Sequence, residues 1–153
     1  MIFSLIVYSS SGHSPSGTES SAAPPPGGQT ALHFAKTLLA HGHSLYRVFF
    51  YGDGVHQAFL PDSNAPGAAA YSAPGTHAAP HGHTGKQWSD LSKQHQLDLV
   101  VCVSAALKRG LISEEEGQHP EQACLRLLPG FQISGLGQLT DAAIHSDRTI
   151  TFR

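Results

Sequence analysis

Three apolar runs of strand length constrain the fold of this 153-residue chain more than any other feature. They are Ile2-Phe3-Ser4-Leu5-Ile6-Val7-Tyr8, Val48-Phe49-Phe50 within Ser44–Tyr51, and Leu99-Val100-Val101-Cys102-Val103 within Leu97–Val103. None alternates apolar with polar as a strand with one wet face does, so each reads as a strand buried on both faces. Helical patterns separate them. Ala31, Phe34, Ala35, Leu38 and Leu39 fall on one face of a helix from about Gln29 to His41, with Gly42 as its C′ residue. Trp88 and Leu91, with His95, do the same over Trp88–His95. Buried strands alternating with helices imply α/β architecture: one domain, residues 1–153, as a three-layer sandwich around a central, mostly parallel sheet.

The remaining segments fit that frame. Residues 9–28 are Ser, Gly and Pro, ending in Pro24-Pro25-Pro26-Gly27-Gly28, and residues 61–86 are low-complexity Pro, Ala, Gly, Ser and His. Both read as inserts without a packed core. Strand two ends in the turn Gly52-Asp53-Gly54. Ser113-Glu114-Glu115-Glu116 has the form of a capping box, and the segment from Glu121 to Leu128 reads as helix. Phe131–Ser134 reads as a short strand and Gly135–Ala143 as a helix with Leu136, Leu139 and Ala143 on one face. Arg148–Phe152 alternates as a last strand, with Ile150 and Phe152 together. Ligands of such sheets bind beyond the carboxyl ends of the strands. The segments after Tyr8, Tyr51 and Val101 therefore share one rim, and Cys102 sits on it.

Charge and cysteine usage exclude several classes. Charged residues are 13% of the chain, about half the usual quarter, so the surface resists association weakly and suits a subunit of an oligomer. The formal net charge is −2 and no basic tract exists, which argues against direct nucleic-acid binding. Two cysteines make no disulfide framework and fit a reducing cytoplasm. The apolar start has no basic n-region and is too short for a signal peptide or membrane span.

Cys102 is the candidate reactive residue. Small residues and two bases follow it, Ser104-Ala105-Ala106-Leu107-Lys108-Arg109-Gly110, as in a strand running into a short helix. A thiol held there can be exposed at a sheet edge, with its thiolate stabilised by backbone N–H groups around Ser104 and Ala105. The rival reading is a small hydrophobe filling a buried strand. Lys108 and Arg109 bias the local field, and either stay solvated or dock an acidic partner. Cys124, in Ala123-Cys124-Leu125, reads as core, and no CxxC links the two. His77, His81 and His83 form an H-x3-H-x-H cluster, but no Cys or carboxylate lies close by and Asp90 faces solvent on its helix, so no metal site is expected. Gly135-Leu136-Gly137 and Gly52-Asp53-Gly54 do not extend to GxGxxG, and neither GxxxxGK[ST] nor GxSxG occurs.

The block Asp98-Leu99-Val100-Val101-Cys102-Val103-Ser104-Ala105-Ala106-Leu107-Lys108-Arg109-Gly110-Leu111 resembles the active-site block of the DsrE/TusD family of sulfur-carrier subunits. Met1–Tyr8, Ala31–Val55 with Val48-Phe49-Phe50-Tyr51-Gly52-Asp53-Gly54-Val55, and Gly130-Phe131-Gln132-Ile133-Ser134-Gly135-Leu136-Gly137 through Phe152 agree with it. The resemblance covers nearly everything outside the two inserts and is nearest to TusD-type members. It implies an α/β domain whose acceptor cysteine, Cys102 by position, receives a persulfide sulfur and hands it on, without metal or other cofactor. It also implies TusB- and TusC-like subunits in a heterohexamer, a TusA-like donor, a TusE-like acceptor, and 2-thiolation of the tRNA wobble uridine as the end. DsrE-like relatives serve dissimilatory sulfur oxidation instead, and some family members only build the oligomer. Cys124 matches no family site, and both inserts leave the chain near the predicted rim.

Overall fold

The apolar runs become the strands of one sheet in a computed structural model that describes residues 1–9, 27–61, 81–112 and 125–153. In chain order the elements begin with β1 (Ile2–Val7), α1 (Gly27–Ala40), β2 (Ser44–Phe50), a 3-10 helix (Gly52–Ala58) and β3 (Phe59–Pro61). They continue with α2 (His81–His95), β4 (Asp98–Cys102), α3 (Val103–Lys108), β5 (Leu125–Leu127), β6 (Phe131–Ser134), α4 (Gly137–His145) and β7 (Arg148–Phe152). Five strands pair in the order β6-β4-β2-β1-β7, every neighbour parallel. The fold is α/β with a central parallel sheet between helices. Its parallel strands bring the ends of β1, β2 and β4 to one rim, as the alternation of elements implied.

Register decides which residues share a face. Leu5, Val48, Leu99 and Phe131 are level across the sheet, as are Val7, Phe50, Val101 and Ile133. This face packs on α1 and α2: Phe34 of α1 meets the rings of Phe3 and Phe152, and Trp88 of α2 stands edge-on to Phe50 at 5.6 Å between centroids. Most of these side chains are completely buried, each contributing roughly 1.5–3 kcal/mol of hydrophobic stabilisation. The opposite face carries Ser4, Arg47 and Asp98 on one level. Here α4 packs: Ser4 Oγ donates to the carbonyl of Ala142, and Arg47 Nη1 donates to that of Gln138. Gly42, at φ +75°, closes α1 in the left-handed conformation a C′ residue needs.

Three expectations change. The helix read from Trp88 begins at His81, inside the low-complexity stretch. Packing overrides composition there: Thr84 and Gly85 are buried, and a Cβ at Gly85 would overlap the carbonyl oxygen of Gln57. The turn at Gly52-Asp53-Gly54 is the start of a 3-10 helix that runs on to Ala58. Leu125–Leu127, read as the end of a helix, is instead β5, antiparallel to the unanticipated β3. Its Leu-Arg-Leu alternation keeps Arg126 exposed, and strand pairing decides over local helix preference. In the sheet β4 is an interior strand, because β6 pairs outside it. The capping box at Ser113–Glu116 lies outside the described residues.

Candidate active site

Cys102 ends β4 and serves as the N-cap residue of α3, with extended φ/ψ of −66° and 116°. Ser104 and Ala105 thus occupy the second and third positions of the helix. Their N–H groups have no acceptor within it, and these are the two amides an N-cap side chain reaches. No side-chain cap bond is formed. Ser104 is exposed and Ala105 buried. Of the two readings of its position, the thiol is buried rather than open at the rim. Cys102 is a free cysteine with no accessible surface, flanked by β6, where Ser134 is its partner, and by β2.

The rim around it is tied together by side chains that pattern reading missed. Arg109, just past α3, donates through Nε and Nη2 to Oδ1 of Asp53 at 2.9 and 2.7 Å, and through Nη1 to the carbonyl of Ala105. It is therefore paired within the chain rather than free in solvent. Asp53 is largely exposed, so the pair adds at most about 1 kcal/mol, but it orients α3 on the 3-10 helix. Lys108 stays exposed. Gln57, fully buried, donates from Nε2 to the carbonyl of Ser9 and accepts from Nε1 of Trp88, both at 3.2 Å. One amide thus fastens the chain after β1 and the helix α2 to the segment after β2.

A second polar cluster lies at the other end of the sheet. Arg47 is buried and bonds Asp98 Oδ2 at 2.6 Å and Asp141 Oδ2 at 2.7 Å. Gln132 donates to Asp98, and Tyr46 Oη donates to Asp141 Oδ2 at 2.8 Å. That phenol bond, helped by Arg47, holds the Asp141 carboxyl below the ordinary aspartate value, and the same bond raises the Tyr46 phenol. The only sequence signal for it is an arginine inside an apolar strand. Its place at the middle of β2 and the amino end of β4 makes it a structural tie between the sheet and α4, away from the Cys102 rim.

The histidine cluster divides. His77 and the His81 side chain lie outside the described residues, while His83 is exposed on α2 and accepts at Nδ1 from Gln87 Nε2. Among the described residues no group of three or more His, Cys, Asp or Glu comes together to hold a metal ion. Asp90 is exposed on α2. Cys124 lies outside the described residues. No described helix is long and apolar enough to cross a membrane.

Comparison with known proteins agrees with this geometry. The model of the DsrE/DsrF-like family matches residues 18–152. Sulfurtransferase TusD of Salmonella dublin is 40% identical over 123 residues, covering 80% of this chain and 86% of the relative. The DsrE protein of Allochromatium vinosum is 38% identical over 123 residues, covering 80% of this chain and 85% of the relative. The crystal structure of the YchN protein from E. coli superimposes with a TM-score of 0.55 at 18% identity, covering 99% of this chain and all of that one, and so matches in fold.

Proposed function

The chain belongs to the DsrE/DsrF-like family, and we propose that it is a sulfurtransferase subunit relaying persulfide sulfur through Cys102. Sulfurtransferase is the activity named for a relative 40% identical over 80% of the chain. The observation that carries the relay is local: Cys102 is the N-cap residue of α3 at the carboxyl rim of a parallel sheet, next to the amides of Ser104 and Ala105, which have no acceptor within the helix.

The chemistry balances without a cofactor. The Cys102 thiolate attacks the terminal sulfur of a donor persulfide; the donor's S–S bond breaks and the donor leaves as a thiolate. Cys102–S–SH then holds the sulfur, its anion stabilised by the amides of Ser104 and Ala105. An acceptor thiolate attacks the outer sulfur, and Cys102 leaves as thiolate. One sulfur moves with no net oxidation.

Kinship with TusD supports the finer reading: work in the cytoplasm beside TusB- and TusC-like subunits, with sulfur from a TusA-like donor passing to a TusE-like acceptor for 2-thiolation of the tRNA wobble uridine. The similarity to DsrE, 38% over the same length, favours a second destination, dissimilatory sulfur oxidation. Deleting the gene and measuring 2-thiouridine in bulk tRNA separates the two. The first reading expects its loss, with restoration by the wild-type gene and not by Cys102→Ala. Unchanged 2-thiouridine redirects the chain to sulfur oxidation, and restoration by Cys102→Ala leaves it a scaffold.

A further inference from the structure

Cys102 has no accessible surface, yet a relay must meet another protein's sulfur. Sheet register shows what stands beside it. Phe50 is level with Val7 and with Val101, and Cys102 with Ser134. Tyr8 and Tyr51 are the next residues of their chains and are held at the strand ends, since Tyr51 N donates to the carbonyl of Val7 and Tyr8 N to that of Phe152, both at 2.9 Å. Tyr8, Tyr51 and Cys102 each directly follow a member of the Val7-Phe50-Val101 level, on neighbouring chains about 4.8 Å apart.

They also share a face. Tyr51 keeps extended φ/ψ of −136° and 165°, so it points opposite to Phe50 and to the same side as Phe49, whose partners include Val100. Cys102, two residues beyond Val100, is on that side too. The Tyr8 ring leans toward β2 over Gly52, where a Cβ would come within 3.0 Å of Cε2 and Cζ, and its centroid is 5.6 Å from that of Tyr51. Both residues are exposed, 44% and 37%. The described contacts of α4 reach this face at the level of Ser4 and Arg47, well below the rim.

We propose that Tyr8 and Tyr51 form the wall on which the cysteine-bearing segment of the sulfur donor docks, and that their rings shield Cys102 until it does. The inference rests on the reading of Cys102 as the relay. A polypeptide is the occupant the wall fits: paired, exposed tyrosines bordering a buried reactive group are the residue type that anchors protein interfaces, and aromatic rings hold sulfur favourably at their edges.

The test loads Cys102 from two donors, a persulfidated TusA-like protein and glutathione persulfide, in wild type, Tyr8→Ala and Tyr51→Ala. Wild type that loads from neither overturns the relay itself. Given loading, the wall predicts effects of opposite sign. The half-saturating concentration of the protein donor rises about tenfold in the alanine variants. Loading by glutathione persulfide accelerates at least about twofold as the shield is removed. Equal slowing with both donors, or no change with either, overturns the wall. Tyr51→Leu gives the same pattern should Tyr51→Ala fail to fold.

Discussion

Replacing Gln57 by methionine tests how the rim is held. The two side chains are close in volume, so little of the cost comes from packing. The loss is polar: Trp88 Nε1–H is left in a completely buried position without an acceptor, and the Ser9 carbonyl loses its donor. An unpaired buried group costs about 1–3 kcal/mol. Both bonds are 3.2 Å long, at the weak end of the range, and Ser9 is only half-buried, so the sum is about 2 kcal/mol. Trp88→Phe removes the N–H together with part of a buried ring. In that background Gln57→Met no longer strands the indole, and its cost falls by about 1 kcal/mol. Urea unfolding of the four proteins reads this as midpoint shifts at constant slope. Additive costs, agreeing within about 0.3 kcal/mol, would refute the claim that Gln57 satisfies the indole.

Arg47→Met strands two carboxylates. Their partial exposure keeps the loss near the low end for a broken buried pair, about 3 kcal/mol, and adding Asp98→Asn recovers part of it in the same urea assay. The Asp141 carboxyl lies below its ordinary value, chiefly through the Tyr46 hydroxyl, so the stability it contributes is complete above the unfolded value near about 3.9 and is lost as pH falls through the folded value. Thermal melts therefore decline on acidification below that range, and Asp141→Asn makes the decline shallower. In a Cys124→Ser background, a maleimide modifies Cys102 at least about tenfold more slowly in native protein than in denaturant, because the thiol has no accessible surface; equal rates contradict that burial.

What could be read from sequence followed the length and regularity of each signal. The apolar runs of β1, β2 and β4 were unambiguous as buried strands, and Gly42 marked the end of α1. The order of elements then placed Cys102 on the rim. Short or compositionally odd segments misled. Leu125–Leu127 carries three residues of pattern, too few to separate helix from strand, and only pairing with Phe59–Pro61 decides. The first turns of α2 look like linker because glycine and histidine lower helix preference, while contact with Gln57 makes a glycine necessary at position 85. The burial of Cys102 was hidden for a different reason. β6 pairs alongside it through Ser134, a strand-order fact that no local pattern encodes. Long-range polar ties, Gln57 to Trp88 and Arg47 to Asp141, leave no periodic trace for the same reason.

The most direct test of the account is the intact mass of the protein after incubation with a cysteine desulfurase, cysteine and a TusA-like carrier. Wild type and Cys124→Ser are expected to gain the mass of one sulfur atom, removable by reductant, while Cys102→Ser gains none. Wild type that takes up no sulfur, or Cys102→Ser that takes up as much as wild type, contradicts a relay through Cys102.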